Sequence, residues 1–324
     1  MRTVFVYVLV FDNTTIYYEQ LLASVWSLKY YNKCHVTVAT DEESHQLMLT
    51  GWRKQYADLF DEIIPFHFDE SVSKVERSRQ LKTTLRQRVI GDLLFIDTDT
   101  VITGDLSEID NLTCNIGMVE DMNCPFDKNP HYQDILNRNE RLFGRRERTS
   151  LSYYNSGVIY AKDNENVREF YDLWNKKWVQ SKNRGVVQDQ PALYETCLEL
   201  QDTVVPLSGI YNCQAVINVN FLSTAKVMHF FNTKDKKNAI SPFIDGTIYN
   251  RIKTQQELSD EIKEDVLHCK ERFISPMMIA SGEDIIVWHS RAFDLLKYII
   301  EHHRRTANAI DIIANKLLGW LSKK

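Results

Sequence analysis

The 324-residue chain predicts an α/β fold with a helical C-terminal appendage, on three observations. Short apolar runs alternate with amphipathic helical stretches through the first half, the pattern of a sheet flanked by helices. One run, Leu93-Leu94-Phe95-Ile96, leads into the paired carboxylates Asp97 and Asp99, and open α/β sheets bind ligands beyond the carboxyl ends of their strands. From about Thr254 the strand patterns stop and helical ones take over, which suggests a domain at 1–250 and an appendage at 251–324.

Taken in order, Val4–Val10 reads as a first strand and Tyr17–Tyr31 as a helix, with Leu21, Leu22, Val25 and Leu28 on one stripe and Thr14 or Thr15 as its cap. His35–Ala39 is the second strand, and Thr40-Asp41-Glu42-Glu43 opens a helix as a capping box. Glu62–Phe66 is a short strand whose Pro65 suits an edge or a strand end, because proline cannot donate to a ladder. Val72–Arg88 is a basic helix leading to the Asp97 strand. Ile116–Val119 and Ser156–Ala161 resume the sheet, separated by the polar interval Glu120–Ser152, a long insertion of the kind that is usually functional or mobile. Glu165–Gln180 and Gln188–Leu198 read as helices, and Lys226–Phe230 as a last core strand.

Composition narrows the function classes. A hydrophobic content of 44% with 26% charged residues describes an ordinary globular chain, not a disordered one. The formal net charge of -5 argues against a general nucleic-acid binder, which needs a basic surface to neutralise phosphates. The apolar start of the chain is too short to span a membrane and lacks a small-residue cleavage site, so it reads as a strand. Six scattered cysteines without a Cys-x-x-Cys pair disfavour a zinc site or a disulfide framework and fit a reducing cytoplasm.

Five constellations carry chemistry. Asp97 and Asp99, two apart on an extended strand, project to one side and suit a hard divalent cation, which in turn suits a diphosphate; as bland alternatives they are caps or turn residues. His229 ends the apolar run Val227-Met228-His229 and offers a nitrogen ligand, more natural for manganese than magnesium, against the commoner reading of a satisfied half-buried histidine. Lys234, Lys236 and Lys237 after it are phosphate partners or a solvated loop. Tyr154-Asn155-Ser156-Gly157 opens a strand, with Asn155 presenting an amide to a hydroxyl-rich group or simply making a turn. Gln188-Asp189-Gln190-Pro191 begins a helix, with Asp189 either a cap or a sugar ligand and Gln190 beside it. Arg79, Lys82 and Arg86 share one helix face, for phosphate, for sugar or for solvent.

In this order the pieces resemble the GT-A nucleotide-sugar glycosyltransferases, most closely glycosyltransferase family 8. The resemblance rests on Asp97-Thr98-Asp99, Tyr154-Asn155-Ser156-Gly157-Val158, Gln188-Asp189-Gln190, Tyr211-Asn212 and His229, with Ser24-Val25-Trp26-Ser27-Leu28 in the first helix, over roughly the first 235 residues. It implies a GT-A, Rossmann-like mixed sheet flanked by helices, and transfer of a sugar from a nucleotide-sugar, a UDP-sugar by preference, to an acceptor hydroxyl with retention. It implies Mn2+ (or Mg2+) on Asp97, Asp99 and His229. It further implies nucleotide-sugar contacts from Phe11, Asp12, Asn13, Lys82, Asp97, Thr98, Asp99 and Lys234, and a catalytic set of Asn155, Asp189 and Gln190. Two features depart from the family pattern: Phe230-Phe231-Asn232-Thr233-Lys234 stands where Gly and Lys-Pro-Trp are common after the histidine, and Pro191 replaces the second acid after Asp-Gln.

The acceptor expected is a glycan or glycolipid in surface polysaccharide or lipopolysaccharide synthesis, with contacts sought in 121–150, where Arg141, Arg145, Arg146 and Arg148 fall. At the C-terminus Ile310, Ile313, Leu317 and Leu321 share a helical stripe with Trp320 and nearby lysines, which fits peripheral contact at the inner membrane face or packing on the protein itself. Two alternatives stay open. A nucleotidyltransferase making a nucleotide-sugar would carry a Gly-rich basic loop after strand one, and Phe11–Thr15 has neither glycine nor base. A catalytically silent glycan-binding protein of the same fold would be expected to have lost some of its acids.

Overall fold

The structure, a computed structural model, describes residues 1–144, 152–214, 220–231, 241–273 and 290–321. Strands β1 (Val4–Leu9), β2 (Val36–Asp41), β3 (Glu62–Phe66), β4 (Leu93–Ile96), β6 (Ile116–Glu120), β7 (Tyr154–Ala161) and β8 (Val204–Pro206) form one mixed sheet in the order β3-β2-β1-β4-β7-β6-β8. The first four are parallel, β7 runs antiparallel to both β4 and β6, and β8 closes the far edge parallel to β6. Pro65 lies on the edge strand β3, where a missing N–H is tolerated. A separate two-stranded ribbon pairs β5 (Thr100–Ile102) with β9 (Val227–His229). The run expected as a last core strand therefore leaves the main sheet.

Strand alternation sorts the two cores. Phe5, Tyr7 and Leu9 of β1 pack with helix α1 (Tyr17–Tyr31) on one face, and Val6 faces the other. There α5 (Glu165–Asn183) buries Val167, Phe170, Tyr171, Trp174 and Trp178 at helical spacing, started by the Asn164 carboxamide accepting from Val167 N. Burying side chains of this size contributes roughly 1.5–3 kcal/mol each. Helices α7 (Thr247–Gln255) and α8 (Asp260–Leu267) add Ile248, Tyr249, Ile252, Ile262 and Val266 to the first core. The chain divides into compact units Met1–Phe273 and Ile274–Lys324. The boundary expected near residue 250 instead falls inside α7, because that helix is core. In the second unit the described residues form the helices Arg291–His302 and Arg304–Leu321.

Several local expectations are revised. The α1 N-cap is Ile16, without a side-chain cap, because Thr14 and Thr15 are held by the Asp12 carboxylate in a turn. Helix α2 (Glu42–Met48) is capped by Asp41 alone; Thr40 lies in β2 and donates its hydroxyl to Leu9 O. The basic helix is shorter than its charge pattern: α3 (Lys74–Thr83) starts at a Ser73/Glu76 capping box, and a 3-10 turn covers Leu85–Gln87. Arg86 is thereby swung off the face it was expected to share. It is fully buried and its guanidinium donates to the carbonyls of Val89, Gly91, Ala161 and Lys162.

Arg86→Leu should destabilise the protein by about 3 kcal/mol, since it strands several buried acceptors, and Arg86→Lys should recover only part of the loss because an ammonium lacks the planar fork. Urea unfolding measures both; equal stability of Arg86→Leu and wild type would contradict the structural role.

Candidate active site

The site begins at the carboxyl end of β4. Asp97 N donates to Gly157 O at 2.7 Å and Phe230 N donates to Asp99 O at 3.1 Å, so the Asp97-Thr98-Asp99 turn is clamped between β7 and the exit of β9. Thr100 Oγ1 closes the turn by donating to Asp97 O. The ribbon register places Thr100 opposite His229, and this pairing brings the histidine beside Asp99 despite their separation in sequence. His229 Nε2 lies 3.2 Å from Asp99 Oδ1, and the ligand atoms of Asp97, Asp99 and His229 all fall within 4.8 Å of one another.

Strand β7 supplies the floor. Its pairing with β6 slips between Met118 and Val119, passing from Ile159 to Asn155, so Ser156, Gly157 and Val158 have no β6 partner. Such a bulge re-aims side chains. Gly157 is required here for space: a Cβ on it would stand 2.3 Å from His229 Cε1 and 2.7 Å from Nδ1. Opposite, the tryptophans of α5 hold the approach to α6 (Gln190–Glu199), with Trp178 Nε1 donating to Val187 O and Trp174 Nε1 to Asp189 O.

Asp189 occupies the N-cap position of α6, yet its carboxylate makes no capping bond. It accepts from Ser156 Oγ at 2.9 Å and faces Lys82 Nζ at 3.5 Å and Arg79 Nε at 3.4 Å. Burial alone would raise this carboxyl, but Lys82, Arg79 and Ser156 outweigh it and hold its pKa down at about 2. The Lys82 ammonium, only 2% exposed, also donates to Asp97 and to Ser156 Oγ and lies over the Phe95 ring. Asp97 is raised by burial, with Lys82 opposing and Asp99 reinforcing the shift. Burial disfavours a charged His229 imidazole, but Asp99 and then Asp97 more than offset that and raise its pKa.

A cavity of about 440 Å³ opens over this cluster, and Lys82, Asp97, Thr98, Asp99, Asn155, Asp189, Gln190 and His229 all line it. A second, of about 690 Å³, shares Asn155, Gln190 and Phe231 with the first and is walled by Asp121, His131, Asp134, Arg138 and Arg141, most of them on α4 (Tyr132–Phe143). Phe11, Asp12 and Asn13 are placed differently from Val8–Val10, which line the first cavity. The Phe11 ring is buried against Tyr18 and under Arg53, Asp12 pairs with Lys74, and Asn13 is exposed. Lys234, Lys236, Lys237, Arg145, Arg146 and Arg148 lie outside the described residues.

Residues that sequence reasoning did not single out also line the first cavity. Tyr17 and Gln20 come from a helix read as packing only, and Phe231 takes a left-handed φ of 43° with its ring tilted against His229, the centroids 4.2 Å apart. No pattern in the sequence signals them. Strained backbone of this kind concentrates at functional sites.

Two carboxylates and one imidazole converging on a small volume form an oxygen-and-nitrogen donor set that fits Mn2+ or Mg2+. The mutual repulsion of Asp97 and Asp99 is what a cation relieves.

The family model for glycosyl transferase family 8 matches residues 82–239, which span β4, β7, the start of α6 and His229. Mouse xyloside xylosyltransferase 1, apo form, is 14% identical with a TM-score of 0.50, covering 70% of this chain and 97% of that one. Galactosyltransferase LgtC, solved with donor and acceptor sugar analogs, is 12% identical with a TM-score of 0.50, covering 81% and 99%. The WbbM bifunctional glycosyltransferase is 15% identical with a TM-score of 0.51, covering 81% and 51%. At these identities the structures speak for the fold. No curated protein matches in sequence. Sheet and neighbours define a GT-A fold, and over residues 82–239 the chain is similar to glycosyl transferase family 8, which supports a glycosyltransferase. Enzymes of this kind generally use a divalent metal.

Gly157→Ala should displace the His229 imidazole from Asp99 while costing about 1–3 kcal/mol from overpacking. Asp189→Asn should cost about 3 kcal/mol, because it leaves Lys82 and Arg79 short of a buried partner. Denaturant melts test both, and a Gly157→Ala crystal structure with an unmoved imidazole would refute the packing argument.

Proposed function

We propose that the protein transfers a sugar from a nucleotide-sugar, a UDP-sugar by preference, to a hydroxyl of a glycan or glycolipid acceptor with retention at the anomeric carbon. The observation that carries this is the convergence of Asp97, Asp99 and His229 at a cavity whose other wall holds Asn155, Asp189 and Gln190. Those first three residues would hold Mn2+ or Mg2+, which when bound supplies charge to neutralise the departing diphosphate. Thr98 stands between the two carboxylates, at the place for the donor's ribose and phosphates. Arg79, on the cavity wall and partly exposed, retains donors for the same anion.

Asp189 has a positioning part in this reading. Its carboxylate is engaged by Ser156, Lys82 and Arg79, and it stays ionised, suited to accept from sugar hydroxyls. Gln190 donates Nε2 to Tyr154 O at 3.0 Å, which fixes its amide at the seam of the two cavities, where the anomeric carbon would meet the acceptor. An amide is a weak nucleophile, so attack from the acceptor on the donor's own face suits the site better than a covalent step through Gln190.

The second cavity is the acceptor side in this scheme. Tyr153 and Phe231 add aromatic side chains to its lining, and Asp134, Arg138 and Arg141 offer hydrogen bonds to hydroxyls or anionic substituents. With that acceptor class we place the enzyme in surface polysaccharide or lipopolysaccharide synthesis at the cytoplasmic face. Ile312 and Ile313, exposed on the helix Arg304–Leu321 near Lys316, suit a membrane-surface contact. No helix among the described residues is long and apolar enough to cross a membrane.

Calorimetry with UDP, with and without Mn2+, tests the donor site. Mn2+-dependent UDP binding that is lost in Asp99→Asn, and in wild type with excess chelator, is the expected result. No nucleoside diphosphate bound by the folded protein under either condition would overturn the reading. Once turnover is found, the anomeric proton coupling of the product decides retention.

A further inference from the structure

The imidazole of His229 is held by a relay of buried amides whose direction is set by one backbone group. Gly157 N, which can only donate, donates to Asn155 Oδ1 at 2.9 Å. That makes the Asn155 oxygen the acceptor on this side, so the neighbouring Asn212 contact, 3.0 Å away, must come from Asn212 Nδ2. Asn212 Oδ1 is thereby turned to His229 Nδ1 at 2.9 Å and has to accept from it. A proton is thereby placed on Nδ1, and in the neutral ring Nε2, the nitrogen that faces Asp99, is the one left with a lone pair.

We infer that Asn212 is a positioning residue that selects the His229 tautomer able to ligate a cation through Nε2, an inference that rests on the metal reading proposed above. Asn212 is fully buried, and the fold fastens it in place. Its carbonyl accepts from Asn123 Nδ2 at 2.9 Å. The next residue, Cys213, bridges to Met228: Cys213 N donates to Val227 O, and His229 N donates to Cys213 O. Asn212 and His229 thus travel together on two adjoining backbone segments. Nε2 and the Asp99 carboxylate face each other at 3.2 Å, close enough to share one cation.

The relay also has an outer end. Asn155 Nδ2 donates to Asp121 Oδ1 at 3.0 Å, and Asp121 lines the second cavity. The histidine's orientation is therefore tied through two amides to the wall on which an acceptor would sit.

The test is Mn2+ titration of the full chain, with free ion counted by electron paramagnetic resonance and the bound ion probed by electron spin echo for modulation from an imidazole nitrogen. His229→Ala gives the signal without that ligand. Asn212→Leu is expected to bind Mn2+ about 10–100-fold more weakly and to lose the imidazole modulation. Asn212→Asp, which keeps an acceptor for Nδ1, is expected to retain the modulation. Wild-type affinity and modulation in Asn212→Leu would overturn the assignment, and so would an Asn212→Asp protein that folds but loses the modulation. If wild type takes up no Mn2+, the metal reading fails by itself. The tautomer is then read from the imidazole nitrogen shifts of the metal-free protein at a pH where the ring is neutral. Nδ1–H in wild type and its loss in Asn212→Leu support the assignment, whereas Nε2–H in wild type overturns it.

Discussion

The buried ammonium of Lys82 is the constraint around which the site is arranged. It joins Asp97 at the end of β4, Ser156 on β7 and Asp189 at the start of α6. Burying an ion carries a desolvation penalty of several kcal/mol, recovered only when good partners surround it. Lys82 meets that condition with two carboxylates and a hydroxyl. The site is consequently pre-ordered by electrostatics before any ligand arrives.

The charge pattern also explains why an anionic donor and a cation belong together here. Asp97, Asp99 and Asp189 face Lys82 and Arg79 as the nearby cations, so with a neutral imidazole these side chains carry one net negative charge. A divalent ion reverses that sign, and a diphosphate then finds a favourable potential. Carboxylates packed this closely are a costly arrangement for a protein that only needs stability, which is why such clusters mark functional sites.

Topology decides where the cluster can form. Parallel strands leave β1 in one direction through β2 and in the other through β4, and crevices open where strand order changes direction in this way. Antiparallel β7 beside β4 brings Asn155 and Gly157 to the same end, and the slip in its pairing with β6 turns those residues toward the opening. The β5/β9 ribbon then lays His229 over Gly157, where only a hydrogen fits beneath the ring.

The sequence by itself determined the local elements and their chemistry. Strand alternation, the Leu21 to Leu28 stripe of α1, the edge position of Pro65 and the carboxylate pair after Leu93–Ile96 are set by nearest-neighbour patterns that a linear reading captures. Even the ordered motifs around Asn155, Asp189 and His229 could be read as a group. Tertiary structure alone decided which charged residues are buried and whom they face. Arg79, Lys82 and Arg86 look equivalent on a helix wheel; a 3-10 turn sends Arg86 to backbone carbonyls, while from α3 Lys82 meets two carboxylates and Arg79 reaches the cavity wall. The ribbon that seats His229 and the amide relay through Asn212 depend on pairings between segments far apart in the chain. Such pairings are fixed by the packing of the whole core and by the need to satisfy every buried polar group, conditions that no local pattern records.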